Sequence, residues 1–114
     1  MNKLFQAALV VLMLVPSWGH AATEGTMSAG DLLTACTTPS ESWISFCNGY
    51  MQAAFDFAAI EGIACYEPEL TRTDLTVLFE RNAFTASARN GGSMENISGL
   101  TLAVAIFSEH LPCD

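Results

Sequence analysis

Four cysteines, Cys36, Cys47, Cys65 and Cys113, are the most chemically versatile residues of this 114-residue chain. Thiols can ligate zinc, attack an electrophile or pair with one another. No spacing among them forms the C-x-x-C pair that zinc sites favour, and the histidines are limited to His20 and His110. Nucleophilic catalysis lacks its parts too, because the sequence holds no G-x-S-x-G, P-loop or H-E-x-x-H pattern. Carboxylate-only chemistry would need two acids facing a cleft, and the candidates are Asp56 and Glu61. Helical spacing puts Asp56 on the polar side of its segment, where a solvated charge is expected. Glu61 falls in a last turn, where a snorkelled or hydrogen-bonded group is expected. The expectation is a protein that is no enzyme and carries neither metal nor cofactor.

An even number of cysteines in an exported chain points to two disulfides. Geometry then selects among three pairings. Cys47 lies in the first turns of a long helix and Cys65 just past its end, so a rise of 1.5 Å per residue holds them roughly 25 Å apart. A disulfide needs Cα atoms within about 7 Å. The chain from Thr37 to Glu41 can return Cys36 beside Cys47, which leaves Cys65 for Cys113.

Export is read from the N-terminus. Lys3, an apolar run from Leu4 to Val15 broken only by Gln6, and the small-x-small site Gly19-His20-Ala21 have the form of a signal peptide over residues 1–21. The run is shorter than the roughly 20 apolar residues that cross a bilayer. The expected mature chain, residues 22–114, is a single domain in the periplasm with no membrane contact after cleavage. It carries Arg72, Arg81 and Arg89 against all 12 acidic residues. So acidic a surface repels nucleic acid and anionic lipid and suits a basic protein partner.

The elements that must position the cysteines read as helices. The longest is Ser42 to Gly62, with Trp43, Cys47, Tyr50, Met51, Ala54, Phe57 and Ala58 on one side and Phe46 and Phe55 at its margins. That arc covers half the circumference, so neighbours are expected on more than one flank, with Trp43 and Tyr50 packed in the core. Thr38-Pro39-Ser40-Glu41 reads as its capping box and Gly62 as its left-handed terminator. Ser28-Ala29-Gly30-Asp31 and Thr71-Arg72-Thr73-Asp74 cap two further helices. Asn90-Gly91-Gly92-Ser93 is a break, with Ser93 free to cap a last helix over Met94 to Leu111. Its main stripe is Ile97, Leu100, Val104, Phe107 and Leu111. Leu102 and Ile106 form an off-axis pair, a candidate dimer or partner contact. No run alternates with period two, so the fold class is all-α, a four- or five-helix bundle stapled by two disulfides.

Leu32-Leu33-x-x-Cys36, Phe46-Cys47-Asn48-Gly49-Tyr50-Met51, Cys65 with a following proline and capped helix, and the terminal Leu111-Pro112-Cys113 together resemble the Rap1a/Tai family of immunity proteins. The resemblance runs from Leu32 to Cys113. It implies a small periplasmic helical protein that binds and blocks a type VI secretion effector, notably a peptidoglycan amidase, and so protects the producing cell. Two departures are present: Ala53-Ala54 stands where the family has glycine, and Ala83 to Glu95 is longer and richer in glycine. The expected partner is a cognate, basic peptidoglycan hydrolase, with Asn90, Gly91, Gly92 and Ser93 at the tip of a plugging loop, Thr85 to Ser93. The rival functional classes are a general periplasmic chaperone or stress protein and a hydrolase built on paired acids.

Overall fold

In the computed structural model, which describes residues 26–114, the chain forms α1 (Ala29–Thr37), α2 (Glu41–Ile60), α3 (Arg72–Arg89) and α4 (Gly99–His110). The expected leader, residues 1–21, lies outside the described residues. Each helix touches the other three, so all four close around one core. Among the described residues the only extended pairing is an isolated antiparallel bridge between Ser28 and Ser98. The all-α bundle expected from the sequence is present, with four helices.

Local chemistry explains most of the boundaries. Ser28 caps α1 by accepting from the Asp31 amide at 3.1 Å. Thr71 caps α3 in a reciprocal box, its hydroxyl receiving the Asp74 amide while its own amide donates to the Asp74 carboxylate at 2.8 Å. Gly62 and Gly91 both sit at φ +69°, the left-handed region that ends a helix cheaply only at glycine. After Gly62, the Ile63 amide reaches back to the Ala58 carbonyl. After Gly91, the Gly92 amide reaches Ser87. Both are Schellman terminations.

Two expected starts move. The cap of α2 is Ser40, which accepts from the Trp43 amide, and not Thr38. The hydroxyl of Thr38 donates instead to the Thr34 carbonyl and serves the end of α1. The last helix begins at Gly99 under Ser98, five residues later than the reading from Met94. Ser93 closes a turn with its carbonyl, which receives the Asn96 and Ile97 amides.

The core is built from Leu32, Met51, Leu75, Phe79, Leu102, Ile106 and Phe107, all but fully enclosed. Phe55 and Phe107 meet edge to face at 6.0 Å between centroids. Both cysteine pairs form as the geometry required: Cys36–Cys47 joins α1 to α2, and Cys65–Cys113 joins the end of α2 to the segment after α4. The Cys65 amide also donates to the Leu111 carbonyl at 2.8 Å. Two disulfides fit an oxidising compartment. No helix among the described residues is long and apolar enough to cross a membrane.

Candidate functional site

The residues singled out as partner contacts do not come together on a surface. Leu102 and Ile106 are wholly buried, because the face that packs inward is Gly99, Leu102, Ala103, Ile106 and Phe107. The bundle covers that pair, and the dimer contact expected there is not available. Leu100, a member of the main stripe read from the sequence, is 40% exposed. The expected plugging loop is corrected as well: Thr85 to Arg89 is the last part of α3, with Ala86 and Ser87 buried. Asn90 caps that helix, its side chain donating to the Ala86 carbonyl at 2.7 Å. The Ser87 hydroxyl donates to the Gly92 carbonyl, and a Cβ on Gly92 would lie 3.3 Å from Ile97. Asn90, Gly91, Gly92 and Ser93 therefore form a tight turn folded back on the bundle.

Asp56 is exposed and accepts from the Gln52 amide nitrogen at 2.9 Å, and Glu61 is exposed at the end of α2. Among the described residues no three His, Cys, Asp or Glu side chains gather as a metal site.

What the fold does expose is the aromatic flank of α2. Its core-facing line is Cys47, Met51, Ala54, Phe55 and Ala58. At 100° per residue, Trp43, Phe46, Tyr50 and Phe57 then fall about a quarter turn away, on the side opposite Asn48. Asn48 faces α3, accepting a hydrogen bond from Thr76 at 2.8 Å. Trp43 is 44% exposed, Phe46 39% and Phe57 46%, while Tyr50 is half-buried. The expectation that Trp43 is a core residue is overturned, whereas Tyr50 is half-buried and packs against the core cluster. The cause is rotation: with Cys47, Met51, Ala54 and Ala58 turned to the core, Trp43 and its neighbours on that flank lie off the buried line even where α1 runs beside them.

Trp43, Phe46 and Tyr50 form a continuous ridge, and Phe57 extends its line beyond Ala53 and Ala54. Trp43 and Phe46 pack edge to face with centroids 5.6 Å apart, and Phe46 and Tyr50 follow at 5.9 Å. Burial pushes the Tyr50 phenol above its ordinary pKa. Beside the ridge run three joined depressions. The first, about 340 Å³, lies between Trp43 and Met27, Asp31, Thr34, Ala35 and Thr38 of the α1 region. The second, about 410 Å³, is bounded by Phe46, Tyr50, Thr26, Met27, Ser98 and Leu100. The third, about 280 Å³, continues past Tyr50 and Leu100 to Phe57. The depressions adjoin one another at Met27, Tyr50 and Leu100, and together they make up the groove along this flank of α2.

Sequence reasoning missed this groove although a signal was present. Cys47 is bonded to Cys36 and must face inward, and that alone rotates Phe46 and Tyr50 toward the rim. Comparison of the chain with family models, curated proteins and solved structures finds no match.

Proposed function

We propose that this chain is an exported, stoichiometric binding protein of the immunity type, which holds and inhibits a type VI secretion effector, a basic peptidoglycan hydrolase. The observation that carries the binding part is the exposed ridge Trp43–Phe46–Tyr50–Phe57 with its groove. Monomeric domains rarely leave a contiguous apolar patch of this kind uncovered, and aromatic residues dominate the energetics of protein interfaces. Two further features support the reading. The paired cysteines suit an oxidising compartment, and the excess of acidic residues favours and accelerates encounter with a basic enzyme. The inhibitor identity itself comes from the resemblance over Leu32 to Cys113.

The experiment is capture from periplasmic extract with the exported protein, identification of what is held, and assay of that species with added protein. One tightly bound cell-wall hydrolase whose activity vanishes at equimolar addition is the expected result. A broad set of unfolded clients would make the protein a chaperone instead and reject the inhibitor reading.

A further inference from the structure

We infer that the groove along α2 seats a single amphipathic helix of a partner protein, one that lays apolar side chains on Trp43, Phe46, Tyr50 and Phe57 and carries basic side chains at its edges. This rests on the binding reading above and deepens it by naming the element and chemistry of the partner.

Length is the first argument. From Trp43 to Phe57 the ridge extends about 21 Å at 1.5 Å per residue, which matches roughly four turns of a seated helix. Backbone chemistry is the second. The groove is walled by rings, aliphatic side chains and a few hydroxyls, and no sheet edge exists among the described residues. A segment entering such a surface gains no main-chain partners, so its own amides and carbonyls must already be satisfied, as they are in a helix. Charge is the third argument. Asp31 lines the Trp43 end, and Glu61 stands one turn beyond Phe57 on the same side of α2. Among the described residues no lysine or arginine lines the groove. Arg72, Arg81 and Arg89 all belong to α3, which packs on the Asn48 side of α2. A second copy of this chain would bring another acidic rim with no cation to neutralise it, whereas a basic helix complements both ends.

The test uses the exported protein and three labelled peptides of about 18 residues: a Leu-striped helix with lysines on its other face, the same stripe with glutamates, and the lysine peptide with a central proline that breaks the helix. Fluorescence anisotropy reads binding and sedimentation reads self-association. The lysine helix should bind at least about tenfold more tightly than either control. Phe46→Asp and Phe57→Asp should each weaken it at least about tenfold, while Phe84→Asp, on α3 and 69% exposed, leaves it unchanged. Asp31→Asn should narrow the preference for lysine over glutamate. Circular dichroism checks the fold, and Phe46→Ala with Phe57→Ala repeats the test should either aspartate variant unfold.

Equal binding of the three peptides, or a ridge variant that binds like the parent, overturns the inference. So does a dimer that Phe46→Asp dissociates, since the groove would then belong to a second copy. The two readings fail separately. A captured hydrolase inhibited equally by the parent and by Phe46→Asp removes the groove and keeps the inhibitor. The expected peptide pattern with no captured hydrolase does the reverse.

Discussion

At Gly99 the first turn of α4 comes so close to α1 that an added Cβ would lie 2.7 Å from Leu32 Cδ2 and 3.1 Å from Leu32 Cβ. Leu32 is fully enclosed and has nowhere to move. Gly99→Ala should therefore destabilise the fold by about 1–3 kcal/mol, as overpacking does, read from urea unfolding. Leu102→Ala removes a side chain with no exposure and should cost about 2–5 kcal/mol. Were Leu102 a surface contact, that substitution would leave the unfolding midpoint almost unmoved. Asp74 gives a dependence on pH. Hydrogen bonds from the Thr71 amide and hydroxyl hold its carboxyl below the usual 3.8. A carboxyl lowered in the folded state contributes stability that is complete above its unfolded value and is lost as pH falls through the folded one. The melting temperatures of the parent and of Asp74→Asn should differ at pH 6 and converge as the pH drops below about 3.8. A constant gap would show that the Thr71 bonds do not act through the charge.

The helices that the sequence announces best are those whose ends are governed by their nearest neighbours. Ser28 with Asp31, Thr71 with Asp74, and Gly62 in the left-handed region act within three or four residues, so their roles are legible from the string. The start of α2 was harder because Thr38 and Ser40 are both competent caps, and only the commitment of Thr38 to the end of α1 decides between them. The start and the inward face of α4 depend on distant residues. Ala29 donates to the Ile97 carbonyl, Gly99 donates to the Met27 carbonyl, and Leu32 fits against Gly99. Small residues at Gly99 and Ala103 let the Leu102–Ile106 side approach its neighbours, although the Leu100–Val104 side is as apolar. The candidate site was hidden for a related reason. An apolar arc on α2 says that burial is possible, and the packing that turns Cys47, Met51, Ala54 and Ala58 inward decides which part of the arc is buried.

Across the whole molecule the acidic surface, the uncovered ridge and the two covalent ties have separate roles. Chain-entropy reasoning assigns about 3 kcal/mol to closing the shorter Cys36–Cys47 loop and about 4 kcal/mol to the longer Cys65–Cys113 loop. Cys65→Ser with Cys113→Ser should therefore lower unfolding stability more than Cys36→Ser with Cys47→Ser. Hydrogen exchange should show the first pair freeing the Cys65 amide from Leu111 while α1 and its contacts with α2 stay protected. The exposed Arg89–Glu109 ion pair adds little beside either tie. The same connectivity also dictates an order of assembly. A chain that emerges N-terminus first presents Cys36 and Cys47 early, and their bond can form before α3 exists. Cys65 must then wait for Cys113, 48 residues further on, and the N-terminus of α1 must wait for Ile97. Early oxidation of the first pair leaves the waiting thiol without a wrong partner inside its own chain, so correct pairing follows from sequence order and requires no later reshuffling.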